Sequence, residues 1–167
     1  TAIAREGGLR LMGPNCLGVF NSEIGFFGTF TQSLDRDKPE PGPIGIISQS
    51  GAYGSHIATL VRMRGLGVRY WMTTGNEADL TMADIMHHMV GDPDIKVIAL
   101  LAEGFRDGPR FLAAARAAAR AGGRGGGKAS AGKGRRAGRA ALAGVRARRG
   151  PRRQGVLSPE LVSGQGG

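Results

Sequence analysis

Ser48-Gln49-Ser50-Gly51 follows a short apolar run, Ile44 to Ile47, and precedes a stretch where Tyr53, Ile57, Leu60 and Val61 recur at helical spacing. Small polar residues between a strand and a helix have a definite chemistry. The first amides of a helix lack intrahelical acceptors, and the positive end of the helix dipole lies beside them. With two hydroxyls added, Ser48, Gln49, Ser50, Gly51 and Ala52 form a candidate phosphate-binding turn. Gly51 lets an anion approach because it has no Cβ. The plain alternative is an ordinary strand-to-helix turn that binds nothing.

The elements that must hold this turn follow from the hydrophobic pattern. Strand Ile44–Ser48 leads to helix Ala52–Arg64, closed by Gly65. Strand Val68–Thr73 leads to the turn Thr74–Asp79 and then to a helix that Asp79 or Thr81 caps. Met82, Ile85, Met86, Met89 and Val90 give that helix one apolar face, and Gly91-Asp92-Pro93 stops it. Strand Ile95–Ala102 leads to the turn Glu103–Gly108 and a helix to about Ala121. Alternating strands and helices imply right-handed crossovers and a parallel sheet, with all three turns on one edge. Upstream, residues 1–8 read as a helix end closed by Gly7-Gly8 and Leu9–Met12 as a short strand. Gly13-Pro14-Asn15-Cys16 then forms a turn at the edge where open α/β sheets bind ligands. Val19 to Lys38 reads as an extended connection with a short strand near Gly28–Thr31, and Pro39–Pro43 as a linker.

The formal charge of +10 over 167 residues is unevenly placed. Residues 1–120 hold 12 basic and 12 acidic side chains, whereas residues 121–155 hold 11 basic ones, 11 glycines and no acid. Such a segment cannot bury enough apolar surface to offset its ordering entropy, so 122–167 reads as a disordered basic tail. One cysteine excludes an intrachain disulfide and fits a reducing, cytoplasmic setting. No apolar run reaches the roughly 18 to 20 residues of a membrane span. The chain opens without Met inside a helix end and reads as a piece of something longer.

Four motifs in order carry a resemblance: Gly-Pro-Asn-Cys-Leu-Gly at 13–18, Ile-Ser-Gln-Ser-Gly-Ala at 47–52, Thr-Gly-Asn-Glu-Ala-Asp at 74–79 and Glu-Gly-Phe-Arg-Asp-Gly at 103–108. Together they resemble the NDP-forming acyl-CoA synthetases, that is, the ADP-forming acetate–CoA ligases and the succinyl-CoA synthetase α subunit. The resemblance implies a flavodoxin-like, three-layer α/β domain at 44–121, a remnant of a CoA-binding Rossmann-like domain at 1–20 and a linker at 21–43. It implies a reaction in which a small carboxylic acid, CoA and ATP with Mg2+ give acyl-CoA, ADP and phosphate through an acyl phosphate. A phosphohistidine carries the phosphoryl group to and from an ATP-grasp domain or subunit.

Carried onto this chain, the resemblance places the phosphohistidine's phosphoryl group on Ser48, Ser50, Gly51 and Ala52. Glu103 orients the histidine ring, Asn15 and Cys16 lie near the CoA thiol, and Asn76, Glu77 and Asp79 line the same edge. Two departures stand out. The glycine-rich CoA-binding half is missing, and the run nearest to the family's histidine loop, Ala137–Gly144, has Gly138 where histidine belongs. A frame-shifted reading of a GC-rich gene over about 122–150 accounts for the abrupt composition, and resequencing the DNA checks it.

Plainer readings compete. His56 reads as a helix-surface residue, and adjacent His87 and His88 do not share a helix face, so no metal set is expected. Cys16 lacks a neighbour to activate it, and Met82, Met86 and Met89 read as core. Two other functions remain open: a non-catalytic module that docks to an ATP-grasp chain, and a nucleic-acid-binding arm. The tail has charge for phosphate contacts but no aromatic ring for base stacking, which weighs against nucleic acid.

Overall fold

The computed structural model describes residues 1–34 and 38–123. Helix α1 (Ala2–Glu6) is followed by strands β1 (Gly18–Asn21) and β2 (Phe26–Thr29). After a short 3-10 turn at Gln32–Leu34, strand β3 (Ile44–Ser48), helix α2 (Gly51–Met63), strand β4 (Val68–Thr73), helix α3 (Met82–Val90), strand β5 (Val97–Leu101) and helix α4 (Gly108–Gly123) complete the order among the described residues. They form one five-stranded sheet, β2-β1-β4-β3-β5. Strands β3, β4 and β5 are parallel, as the strand–helix series implies. The first two strands add an antiparallel hairpin against β4, so the sheet is mixed.

The central position of β3 explains its sequence. With β4 on one side and β5 on the other, and helices on both faces, all five of its residues are buried. Ile47 packs with Met82, Met86, Met89, Leu100 and Phe111 toward α3 and α4. Ile46 packs with Phe20, Ala58 and Trp71 on the other face, toward α2. Each large side chain withdrawn fully from water contributes about 1.5–3 kcal/mol.

Two upstream expectations are corrected. Leu9–Met12 is not a strand: its backbone lies against the loop after β4, where Leu80 N donates to Leu11 O at 3.0 Å, and no ladder forms. The stretch read as an extended connection with a short strand near Gly28–Thr31 contains that strand two residues early, as β2, and a second one, β1, that was not expected. The weak alternation there reflects a hairpin whose outer strand is half exposed, while Phe20 stacks on Trp71 at 5.5 Å. The proposed linker region 21–43 therefore holds β2 and the last residue of β1. The tail from 124 onward, with the Ala137–Gly144 run, lies outside the described residues.

The helix ends follow capping chemistry. Thr81, not Asp79, caps α3 in a reciprocal box: Asp84 N donates to Thr81 Oγ1, and Thr81 N donates to the Asp84 carboxylate at 2.9 Å. Gly65 adopts φ +69° after α2, the left-handed geometry that ends many helices.

Candidate functional site

At the C-terminal edge of β3 the chain turns through Gln49 and Ser50 into α2. Ser50 is the N-cap: its backbone is extended, its Oγ accepts from Tyr53 N at 3.4 Å, and its carbonyl accepts from Gly54 N at 2.9 Å. Among the described residues, no chain acceptor meets the amides of Gly51 and Ala52. These donors stand at the positive end of a 13-residue helix, which is the geometry that holds an anion.

The five residues of the expected cradle divide. Ser48 is 0% exposed, and its hydroxyl donates to Ser50 O at 2.6 Å. It shapes the turn from beneath and offers no hydroxyl outward. Gln49 is also engaged with the chain, through the loop after β5. Ser50, Gly51 and Ala52 remain at the helix start. Gly51 has a packing reason as well: a Cβ there would lie 2.5 Å from Leu17 Cγ. Gly54 brings α2 onto the sheet, where an added Cβ would meet Ser48 Cβ at 3.0 Å.

Glu103 lies beside this turn. Gln49 N donates to Leu101 O at 3.1 Å, extending the β3–β5 pairing past the strand ends. Gln49 Oε1 accepts from Glu103 N at 2.6 Å and from Gly104 N at 2.9 Å, while its Nε2 donates to Gly104 O at 2.8 Å. The Glu103 side chain is exposed, and among the described residues its carboxylate has no partner. The unengaged acid thus follows β5, the neighbour of β3, whose own C-terminal turn leads to the unengaged amides.

The segment 10–18 straps the third turn to the same edge. Asn76 N donates to Pro14 O at 2.9 Å, Ala78 N to Gly13 O at 2.8 Å, and Leu17 N to Thr73 Oγ1 at 2.9 Å. Gly75, at φ +55°, is pressed against this strap, where a Cβ would meet Pro14 O at 2.3 Å. Asn15 touches Asn76 through a 3.4 Å side-chain hydrogen bond, and Cys16 is half-buried with its thiol toward Met12 O. Both asparagines are exposed at the edge.

Glu77 and Asp79 serve the fold. Glu77 is 3% exposed and accepts from Thr74 Oγ1 at 2.8 Å and from Met82 N at 3.0 Å, anchoring the start of α3. Asp79 accepts from Arg10 at 2.9 and 3.2 Å and from Leu11 N at 2.9 Å. The Arg10 guanidinium and the Leu11 amide hold its carboxyl down from 3.8 to about 2. Thr73 was not anticipated: fully buried, it both accepts from Leu17 N and donates to Gly18 O. Two adjacent threonines at the end of an apolar strand were the available signal. Elsewhere His88 packs edge-on against Tyr70, at 5.6 Å between ring centres. Among the described residues, no three His, Cys, Asp or Glu side chains converge to hold a metal.

Comparison with known proteins defines the class first. Residues 41–123 match the family described as the succinyl-CoA ligase like flavodoxin domain. The chain belongs to the NDP-forming acyl-CoA synthetase family. It is 36% identical over 114 residues to the α subunit of ADP-forming acetate–CoA ligase II of Pyrococcus furiosus, covering 68% of this chain and 24% of that one. It is 40% identical over 116 residues to a trans-feruloyl-CoA synthase from an unknown prokaryotic organism, covering 69% and 16%. A solved protein of Pyrococcus horikoshii OT3 superposes with TM-score 0.63 at 32% identity, covering 72% and 26%. The dinucleotide forming acetyl-coenzyme A synthetase 1 of Ca. Korarchaeum cryptofilum, solved in complex with phosphate and ADP, gives 0.61 at 29%, covering 71% and 25%. The chain therefore spans about a quarter or less of these relatives.

Proposed function

We propose that this chain supplies the phosphoryl-holding turn of an ATP-dependent, NDP-forming acyl-CoA synthetase, which converts a carboxylic acid, CoA and ATP to acyl-CoA, ADP and phosphate. The observation that carries the reading is the pair of unengaged amides, Gly51 and Ala52, on a turn to which the Glu103 backbone is tied through Gln49, with the Glu103 carboxylate unengaged among the described residues. A transferable dianion needs oriented donors and a dipole of the right sign, and a ring nitrogen that carries it needs a carboxylate to fix its orientation. In this reading Ser50, Gly51 and Ala52 receive the phosphoryl group of a phosphohistidine supplied from elsewhere, and Glu103 accepts from that histidine's ring. Ser48 and Gln49 shape the turn from below and from the side. Asn15, hydrogen-bonded to Asn76 at the same edge, fits a position near the CoA thiol.

CoA, ATP with Mg2+ and an ATP-grasp domain or subunit belong to the whole enzyme. In this reading the described residues supply the site for the phosphoryl group. The setting in this proposal is the cytoplasm, where the half-buried Cys16 stays a free thiol.

Ala52→Pro tests the cradle. Proline is tolerated in the first turn of a helix and deletes one donor. In an NMR titration with inorganic phosphate, the wild-type amides of Ser50, Gly51 and Ala52 shift together. In the variant, phosphate affinity falls by about tenfold, the worth of one hydrogen bond to a charged group. Unchanged affinity, or wild-type amides that ignore phosphate, overturns the reading.

A further inference from the structure

We infer that Gln49 is the positioning residue that sets Glu103 against the anion-holding turn; this rests on the proposed function and deepens it. Three of its bonds run to one target. Its Oε1 accepts from the amides of both Glu103 and Gly104, and its Nε2 donates to the Gly104 carbonyl. The side-chain amide behaves as an extra peptide group, continuing the β3–β5 ladder one step beyond its last backbone pair, Ser48 with Leu101. Gln49 N, donating to Leu101 O, locks the same junction from the main chain.

The consequence is geometric. Glu103 stands in an exposed loop that opens α4 only five residues later, and such loops are ordinarily the mobile part of a domain. Fixing both amides that flank the Glu103 Cα and carbonyl leaves its carboxylate with side-chain freedom only. The separation between that carboxylate and the free amides of Gly51 and Ala52 is then set by one residue, two positions before the helix. Fixing the two amides requires an acceptor at this length: a carboxylate keeps the two acceptor bonds and loses only the donor bond to Gly104 O, and an apolar side chain loses all three.

The full chain, Gln49→Met and Gln49→Glu are compared by NMR, with the Trp71 indole resonance reporting an intact core. In wild type, inorganic phosphate moves the amides of Gly51 and Ala52 and also the carboxyl carbon resonance of Glu103. In Gln49→Met, the amides of Glu103 and Gly104 exchange with solvent roughly five- to tenfold faster, as for one lost net hydrogen bond each. The Glu103 carboxyl response to phosphate is lost while Gly51 and Ala52 still respond. Gln49→Glu keeps the slow exchange at both amides, and it decides the matter if the methionine variant does not fold. Unchanged exchange in Gln49→Met, or fast exchange in Gln49→Glu, overturns the inference about Gln49 and leaves the cradle standing. Wild-type Gly51 and Ala52 amides that ignore phosphate overturn the cradle and remove the anion that Gln49 would serve.

Discussion

Asp79 shows how much a single side chain at this edge is committed to structure. Read from sequence it was an edge acid or a helix cap; in the fold it holds Arg10 and the Leu11 amide, with 7% of its side chain exposed. Its carboxyl is held near 2, below the ordinary 3.8, first by the Arg10 hydrogen bond and then by the Leu11 amide. A depressed acid gives stability that is complete above its unfolded value and is lost as pH falls through the folded one. Melting temperature followed downward in pH should therefore fall more steeply between 3.8 and about 2 in wild type than in Asp79→Asn. Parallel profiles would contradict this role. Glu77 went the same way, buried at the start of α3, where it accepts from Thr74 Oγ1 and from the Met82 amide. Spacing places an acid at a strand end but does not say whether it faces solvent or the backbone beside it.

At the scale of elements, the β-branched strands and the amphipathic α3 were legible because each is governed by its own periodicity. Strands β3 and β4 fall where Ile44–Ser48 and Val68–Thr73 were read, and α2 begins one residue early. The strap at 10–18 was not legible, because its partners lie some sixty residues away and its bonds are mostly to backbone. One of its close packing contacts is between Leu17 and Gly51, where a Cβ would lie 2.5 Å from Leu17 Cγ. Gly51→Ala should destabilise the protein by about 1–3 kcal/mol in chemical denaturation, as overpacked sites do. Adding Leu17→Ala should recover part of that loss, giving a coupling energy in the double-mutant cycle. Strict additivity would show that the glycine is required for another reason.

At the scale of the molecule, the chain spans about a quarter or less of relatives that include a ligase α subunit and a CoA synthase. In the proposed function this chain holds a phosphoryl group that residues from elsewhere deliver and accept. A coupled assay of this chain with ATP, CoA and acetate should show no turnover, and turnover above the blank would require a complete site within these residues. The charge asymmetry was fully legible from the sequence, because counting needs no fold: residues 1–120 balance their charges.

The family match starts at residue 41, after the hairpin, yet Phe20 lies flat on the Trp71 ring. Trp71 is 0% exposed, and its indole nitrogen has no acceptor among the described residues. A recombinant product begun at the family boundary would strip the lid from that indole and leave the outer edge of β4 open to other chains. Its tryptophan emission should shift to the red and its solution should turn cloudy, whereas one begun before β1 should stay blue-emitting and clear.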